Sequence, residues 1–335
     1  MRLSPSWRWL ILTLLLTGCG GAQSPLDPAG DQAGSIYGLF TLAMWVCGLA
    51  YAAVLGFLAW SIWRARYRVA AQPTLNPPND GLGIALWAWG ALVVAGLTAL
   101  AIGSFMVERK LSATQASEAL QVRVTGHQYW WRIEYRDPAG GGWIETANEL
   151  HLPAGRTARI LLGSADVIHS FWVPNVAGKM DVIPGRANAI DVSPHRIGWF
   201  RGQCAEFCGA QHAHMAFDVK VESPAEFAGW LASQRRPAAT PADPTLARGM
   251  AVVAGGQCAM CHVVRGTPAV GRAGPDLTHV GARRSIAAGT MPMSRGALQG
   301  WIAQPQAIKP GTLMPAISLS PSDADAVSRY LVSLQ

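Results

Sequence analysis

Residues 204–215, with the sequence CAEFCGAQHAHM, concentrate the side chains best suited to bind a metal. Two thiols stand at Cys204 and Cys208, an imidazole follows at His212, and a thioether follows at Met215. Soft thiolate and thioether ligands favour copper, and a Met ligand is typical of copper sites that transfer electrons. One thiolate would suffice for a single copper ion, so two thiolates indicate a pair of copper ions that share both sulfurs.

Two other uses of these thiols stay open at this point. Cys204 and Cys208 could form a disulfide, or they could belong to a structural zinc site. Zinc prefers a closed tetrahedron of Cys and His ligands and would leave Met215 without a role. A copper site therefore explains more of the side chains in residues 204–215 than a disulfide or a zinc site does.

The copper site needs a second imidazole, and the segment DVIHSFWVP at residues 166–174 supplies His169. The remaining candidates, His127 and His214, are predicted to be packing or surface residues. The sequence alone does not show that His169 meets the cysteines in space.

A second motif, CAMCH at residues 258–262, is the attachment sequence for a c-type haem. In such a motif the thiols of Cys258 and Cys261 add to the haem vinyl groups, and His262 ligates the iron. We therefore expect one covalently bound haem c in this part of the chain.

The distal ligand of that haem must come from later in the chain, where three methionines are candidates: Met291, Met293 and Met314. The segment KPGTLMP at residues 309–315 resembles the distal loop of cytochromes c, so Met314 is the predicted ligand. The segment GPDL at residues 274–277 resembles the loop whose proline carbonyl orients the proximal His. His/Met ligation raises the haem potential, which suits a donor to copper.

The elements that carry these motifs begin with two long apolar runs, residues 36–63 and 82–107, neither of which contains a charged residue. Each exceeds the roughly 20 residues needed to cross a bilayer, so residues 36–110 are predicted to form a transmembrane hairpin. The loop between the runs holds Arg64, Arg66 and Arg68, which predicts a cytoplasmic loop.

The N-terminus has the pattern of a secretory signal. Residues 1–18 are basic at the start, then apolar, then small, and the stretch LTGC at residues 16–19 resembles a bacterial lipoprotein box. We expect residues 1–18 to be removed and Cys19 to be lipidated; an ordinary signal peptide with an incidental Cys19 is the alternative. Residues 19–35 would then be an exported tether, and both chemical sites would lie outside the inner membrane of a bacterial cell.

The exported part divides in two. Residues 118–232 contain short alternating apolar runs broken by Gly and Pro, which predict an all-β domain. Residues 233–245 are rich in Pro and Ala and predict a linker, able to hold two domains at a high mutual concentration. Residues 246–335 are predicted to be helical, with N-caps at Asp243 and Ser320.

Together these motifs resemble subunit II of haem-copper cytochrome c oxidases, with a c-type cytochrome domain fused at the C-terminus. The likeness covers residues 36 to about 232 and includes GHQYWW at 126–131 and KMDVIPGR at 179–186. It implies a multidomain membrane protein: a two-helix transmembrane hairpin, an all-β Greek-key cupredoxin domain and an all-α cytochrome c domain.

The resemblance also implies a dinuclear CuA centre with a defined set of ligands: His169, Cys204, Cys208, His212, Met215 and the backbone carbonyl of Glu206. The side chain of Glu206 would reach a Mg²⁺ at the border with subunit I. Electrons would pass from haem c to CuA and on to haem a of subunit I, for O₂ reduction with proton translocation. Subunits I and III are implied partners, together with an upstream donor such as a cytochrome c or a quinol–cytochrome c reductase complex.

The chain departs from the family pattern in two places. The family usually has Trp where Tyr129 stands, and that Trp receives electrons from a docked cytochrome c, so either Tyr129 or Trp130 is expected to do so here. The second span contains no carboxylate for a proton channel, and Asp80 lies just before it.

Composition excludes one class of function and leaves three competing ones. Only 14% of the 335 residues are charged, and the net charge of +7 is not gathered into a basic patch, so nucleic-acid binding is excluded. A copper-delivery protein would need neither Met215 nor a haem domain. A module of another terminal reductase would keep both centres, whereas a quinol-oxidase subunit would have lost the copper ligands.

Overall fold

The computed structural model describes residues 20–67, 80–112 and 119–335. The predicted signal peptide and the lipidation site Cys19 lie outside these residues, as does Arg68 of the predicted cytoplasmic loop.

The described residues form two compact units. The smaller unit is helical and lies within residues 34–112, and the larger unit combines residues 20–33 with residues 119–335. The larger unit contains a β domain, residues 120–234, and a C-terminal domain, residues 244–335.

Two long helices make up the smaller unit. Helix α1 is Asp31–Arg66 and α2 is Asp80–Ser112, and both are long and apolar enough to cross a membrane. Both helices extend beyond the apolar runs, because polar residues continue the helix at each end. Gly96 and Gly103 of α2 face α1 closely: a Cβ at either glycine would lie 3.2 Å from a side chain of the other helix. Small residues of this kind allow close helix packing in membranes.

The β domain is a sandwich of two five-stranded sheets. The first sheet has the order β3-β2-β1-β5-β8. Its strands are β1 Leu120–His127, β2 Trp130–Arg136, β3 Trp143–Ala147, β5 Ala158–Ser164 and β8 Asn188–Val192. The second has the order β4-β10-β9-β6-β7. Its strands are β4 Glu149–Pro153, β6 His169–Trp172, β7 Met180–Val182, β9 Gly198–Cys204 and β10 Ala216–Glu222.

Alternating burial along the strands builds one core between the sheets, as predicted for half-buried strands. At its centre Trp131 of the first sheet packs edge-on against Phe217 of the second, with ring centroids 5.6 Å apart. The chain crosses between the sheets at Asn148, which has a φ of 57° and accepts a 2.8 Å hydrogen bond from the Trp131 amide. Asn is among the few residues that adopt this left-handed conformation readily.

Helix α3, Pro224–Gln234, follows the sandwich and begins at a capping box formed by Ser223 and Glu226. It extends into the segment predicted as a linker. Two hydrogen bonds hold the linker to the C-terminal domain: Ala238 donates its amide to the Arg265 carbonyl at 2.8 Å, and the Arg265 guanidinium donates to the carbonyl of Gln234 at 2.6 Å. Arg265 thus fastens the linker to the C-terminal domain.

The C-terminal domain is helical, and the caps predicted at its ends are confirmed. Its helices are α4 Pro244–Gly255, α5 Arg295–Ala303, α6 Pro305–Ile308 and α7 Pro321–Ser333, with a short hairpin of β11 Ser285–Ile286 and β12 Met291–Pro292. Asp243 caps α4 and Ser320 caps α7. The apolar stripe predicted on α7 is buried in the domain core: Val327, Tyr330, Leu331 and Leu334.

Residues 20–33 lie along the β domain instead of forming a free tether. Ala29 donates its amide to the Asn175 carbonyl at 2.6 Å, and Asp27 forms an ion pair with Arg196 at 2.7 Å. The amide of Arg201 donates to the Ala22 carbonyl at 2.7 Å. Hydrogen bonds and an ion pair therefore hold residues 20–33 against the β sandwich.

Candidate metal centres

The second sheet of the β domain brings the predicted copper residues together. Strand β9 ends at Cys204, and its antiparallel partner β10 begins one residue after Met215. Strand β6 begins at His169 and pairs with β9 through Phe171 and Cys204. The loop between β9 and β10 thus closes over the imidazole of a neighbouring strand.

The donor atoms form a continuous cluster around the two thiols. The sulfur of Cys204 lies 3.9 Å from Nδ1 of His169, 3.8 Å from the sulfur of Cys208 and 3.2 Å from the carbonyl oxygen of Glu206. The sulfur of Cys208 lies 3.8 Å from Nδ1 of His212 and 3.8 Å from Sδ of Met215. The three sulfurs and His169 are buried.

This donor set fits copper and not a disulfide. A disulfide requires about 2.05 Å between sulfurs, and those of Cys204 and Cys208 are 3.8 Å apart. A thioether, two imidazoles and a carbonyl surround the paired thiols, and the six donors together are more than a closed tetrahedral zinc site would use. Each thiol has two further donors within 3.9 Å, which suits a pair of ions that share both sulfurs.

The electrostatics of the pair favour one thiolate. The hydrogen bond from Cys208 lowers the pKa of Cys204 to about 3; burial opposes this shift and His169 supports it. The same bond and burial raise the pKa of Cys208. Metal ligation by both sulfurs must therefore displace the proton that the pair retains.

Asp166 orients the ring of His169, and it was not among the predicted site residues. Its Oδ1 lies 2.8 Å from Nε2 of His169, so Nδ1 is the nitrogen left to face the thiols. Burial raises the pKa of Asp166, but hydrogen bonds from His169 and from the Gln128 and Val167 amides outweigh it and lower that pKa. Its position three residues before His169 was the available signal.

Two glycines make room for this arrangement. A Cβ at Gly126 would lie 2.6 Å from Cδ2 of His169, so strand β1 can pass this close only without a side chain. Gly209 has a φ of +123°, and a Cβ there would lie 2.5 Å from the hydroxyl oxygen of Tyr129.

The remaining two histidines near the loop have other contacts. His214 places Nδ1 2.9 Å from the side-chain oxygen of Gln211. His127 stacks on Trp130 with centroids 4.5 Å apart, and burial, followed by the charge of Arg132, lowers its pKa to about 4.

The CAMCH motif is arranged to receive a haem. Cys258 and Cys261 are free, half-buried thiols: Cys258 lies within the 3₁₀ turn Gln257–Met260, and Cys261 follows this turn directly. Nδ1 of His262 lies 2.8 Å from the carbonyl oxygen of Pro275, the contact that the GPDL segment predicts, so Nε2 is left for iron. Burial lowers the pKa of His262, which keeps the imidazole neutral.

A buried polar group near this motif also fits a haem. Arg283 is buried, its charge acts on His262, and it donates to the Asp276 carbonyl, but its Nε has no partner among the described residues. A haem carries two carboxylates, which are acceptors of the kind that this Nε lacks.

The three candidate methionines all pack half-buried against the core of the C-terminal domain: Met291, Met293 and Met314. The loop of Met314 is fastened by Gln306, whose amide donates to the carbonyls of Thr312 and Met314 at 2.6 and 3.1 Å.

The C-terminal domain has hydrogen bonds to the β domain at or beside both residues predicted to receive electrons. Tyr129 is buried; its hydroxyl accepts from the Ala210 amide at 3.1 Å, and its carbonyl accepts from Lys309 at 2.8 Å. The guanidinium of Arg132 lies over Trp130 and donates to the Arg272 carbonyl at 2.5 Å.

Comparisons with known proteins agree with the domain order. Residues 138–222 match the family described as "Cytochrome C oxidase subunit II, periplasmic domain", and residues 246–335 match "Cytochrome c". Cytochrome c oxidase subunit 2 of Alkalihalophilus pseudofirmus is 33% identical over 97% of this chain and 95% of its own length. The same subunit of Bacillus subtilis is 30% identical over 98% of both chains.

A solved structure of the periplasmic domain of subunit II of cytochrome oxidase from Bradyrhizobium japonicum is 32% identical. The match covers 35% of this chain and 93% of the solved chain, with a TM-score of 0.32. The full-length similarity supports the same assignment as the fold does. The fold combines apolar helices, cupredoxin-like sheets and a helical cytochrome c domain. The chain belongs to the cytochrome c oxidase subunit II family, as a subunit of a haem-copper oxidase complex with a cytochrome c domain of its own.

Proposed function

We propose that this chain carries electrons from a covalently bound haem c in its C-terminal domain to a dinuclear CuA centre in its β domain. From there they would pass to haem a of subunit I, where O₂ is reduced to water with proton translocation. The observation that carries the proposal is the convergence of four donor atoms on two buried thiols, next to a domain that contains CAMCH. Copper and haem iron supply reversible uptake of single electrons when bound.

The copper residues would each have a distinct role. Cys204 and Cys208 would bridge the two ions, and His169 and His212 would each complete one of them. Two weaker donors, the thioether of Met215 and the carbonyl of Glu206, would complete the set. Burial excludes water from the sulfurs, which protects them and limits rearrangement of solvent when charge moves.

The haem residues follow the same logic. Cys258 and Cys261 would hold the macrocycle covalently, and His262 would ligate iron through Nε2 while Pro275 holds the ring in place. Met314 would be the distal ligand, since the Gln306 clamp gives its loop a defined position.

The two apolar helices fit a protein of the bacterial inner membrane. We infer that both redox domains lie on its outer side, because Arg64 and Arg66 at the end of α1 favour the cytoplasm. The proposal includes cleavage of residues 1–18 and lipidation at Cys19. The exposed carboxylate of Glu206 would take part in a Mg²⁺ site with subunit I.

The upstream donor would be a cytochrome c or a quinol–cytochrome c reductase complex. Residues 246–335 contain 8 basic and 3 acidic side chains, so the C-terminal domain would attract an acidic partner. Since Tyr129 is buried and its carbonyl is bonded to Lys309, a soluble donor would deliver electrons to the haem and not directly to the copper loop.

Purification of the complete membrane complex tests the proposal. We expect haem that stays attached to this chain after denaturation, the near-infrared band of dinuclear copper, and oxygen consumption with a reduced cytochrome c. Covalent haem without the copper band would contradict the central claim. Both centres without oxygen consumption would instead support a module of another terminal reductase.

A further inference from the structure

The C-terminal domain holds the two residues that flank Met215. The ammonium group of Lys309 donates to the carbonyl of His214 at 2.8 Å, and the carbonyl of Ala288 accepts from the amide of Ala216 at 3.1 Å. His214 and Ala216 are the direct chain neighbours of Met215. Both anchors thus come from a domain that begins about 30 residues after the copper loop in the chain.

Lys309 is almost completely buried, with 2% of its surface exposed. Its three N–H donors meet three carbonyls: that of His214, that of Tyr129 at 2.8 Å and that of Ala287 at 3.0 Å. Burial lowers the pKa of Lys309 to about 7, and the negative charge of a Cys208 thiolate opposes that shift. A buried ammonium group is costly unless its hydrogen bonds are satisfied, and here each of them ties two segments together.

The turn between β11 and β12 supplies the second anchor. Ala287, Ala288 and Gly289 all have positive φ values, 53°, 58° and 74°. This left-handed run is unusual for alanine, and it presents successive carbonyls to Lys309 and to Ala216.

Further hydrogen bonds hold the same hairpin on the β domain. The amide of Arg284 donates to the carboxylate of Glu149 at 2.7 Å, and the hydroxyl of Ser285 donates to the carboxylate of Asp218. Arg201 donates to the carbonyl of Gly289 at 3.3 Å. The turn is therefore held in place on both sides of its contact with Ala216.

Within the β domain, two backbone bonds hold Met215: its carbonyl accepts from the Cys204 amide at 2.9 Å, and its amide donates to the His212 carbonyl at 3.3 Å. The bonds from Lys309 and to Ala288 act on the two peptide units that flank this residue. The thioether of Met215 lies 3.8 Å from the sulfur of Cys208, so a shift of either flanking peptide unit would move the thioether relative to that sulfur.

We propose that Lys309 and the turn of residues 287–289 are positioning residues for the copper ligand Met215. The fused domain would then tune the copper centre as well as deliver electrons to it. This inference rests on the proposed function, because it takes Met215 as a ligand. The potential of a copper site depends on its weak Met ligand, so a displaced thioether should change that potential.

The test compares two variants of the full chain in the purified complex. Lys309→Met keeps the length of the side chain and removes all three donors. Arg295→Met is the matched control, since Arg295 is half-exposed and pairs only with Asp325, at 3.3 Å, among the described residues. We expect Lys309→Met to shift the near-infrared copper band, the copper hyperfine pattern and the copper midpoint potential, with haem bands unchanged. The control should change none of them.

Copper signals in Lys309→Met that match the wild type would overturn the inference. A wild type without any dinuclear copper signal would instead refute the proposed function on which it rests. If Lys309→Met does not accumulate, Lys309→Gln keeps two N–H donors on a shorter side chain and should give a smaller shift.

Hydrogen exchange of the wild type adds a measurement that needs no variant and no copper. The amide of Ala216 should exchange as slowly as that of Val219, which lies inside the sheet. Rapid exchange at Ala216 alone would show that the C-terminal domain does not hold this peptide, and would overturn the inference even if no variant accumulates.

Discussion

Asp166 and His169 form a hydrogen bond of 2.8 Å between Oδ1 and Nε2, and this bond turns Nδ1 of the same ring toward the sulfur of Cys204. A second bond from the Gln128 amide, at 2.7 Å, holds the Asp166 carboxylate in place. The orientation of one proposed copper ligand is thus decided by a carboxylate that does not itself touch the thiols.

We expect Asp166→Ala to weaken copper binding by about 10–100-fold, the usual effect of removing the partner of a ligating His. Competition with a chelator would measure it. Asp191→Ala is the control, since Asp191 pairs with Arg159 in the other sheet and should leave copper affinity unchanged. Equal affinities for the two variants would contradict this role of Asp166.

Gly126→Ala should reduce the amount of copper bound per chain. Its new Cβ would lie 2.6 Å from Cδ2 of His169, and the hydrogen bond between Asp166 and the neighbouring Nε2 would have to break or shift for the ring to move away. Gly163→Ala, on the adjacent strand, is the control, because no described atom lies within 4 Å of its Cβ position. The test is the amount of copper per chain in both purified variants. Full copper occupancy in Gly126→Ala would show that the His169 ring can move away from the new Cβ.

The distal haem ligand can be identified by three parallel variants: Met291→Ala, Met293→Ala and Met314→Ala. Only Met314→Ala is expected to change the ligand field and lower the haem potential, because a thioether ligand raises the potential. Absorption spectra and redox titrations of the full chain measure both. If Met291→Ala or Met293→Ala changes the spectrum and Met314→Ala resembles the wild type, the methionine replaced in the changed variant is the distal ligand instead.

The contacts of His151 allow a prediction of how the stability of the folded chain depends on pH. Its Nδ1 lies 2.8 Å from Glu222, its Nε2 lies 3.0 Å from Glu149, and its ring stacks on Trp230. Burial lowers the pKa of His151, but the hydrogen bonds to both carboxylates outweigh it and raise that pKa above 6.5. Burial raises the pKa of Glu222, and the bonds from His151 and Lys220 outweigh it and lower that pKa below 4.5.

A raised folded pKa means that the stabilisation from His151 is complete below pH 6.5 and is lost as the pH rises through the folded value. The stabilisation from Glu222 is present above pH 4.5 and is lost as the pH falls through its lowered value. We therefore expect the unfolding temperature of the full chain to fall as the pH rises above 6.5, and His151→Gln to reduce that fall.

The control for this prediction is His195→Gln, because His195 is half-exposed beside Asp31. It should keep the pH dependence of the wild type. An identical pH dependence in the wild type and His151→Gln, followed by thermal unfolding in detergent, would show that the buried cluster does not set it.

Features that depend on neighbouring residues were predictable from the sequence. The spacing of Cys204, Cys208, His212 and Met215 places four donors on one loop whatever surrounds it. The same holds for CAMCH and for the caps at Asp243 and Ser320, where covalent connection alone brings the groups within reach. The lengths of the two apolar runs likewise sufficed to predict two long helices.

Only the tertiary structure decided how distant segments meet. Lys309 lies 180 residues from Tyr129, and no local pattern indicates that its ammonium group would reach the carbonyl there. For the same reason the sequence predicted a linker without indicating that Arg265 holds it, and it identified Tyr129 as a candidate for electron entry without indicating that this side chain is buried. Local spacing determines which atoms are available for chemistry, whereas packing between domains determines which of them are covered, oriented and held.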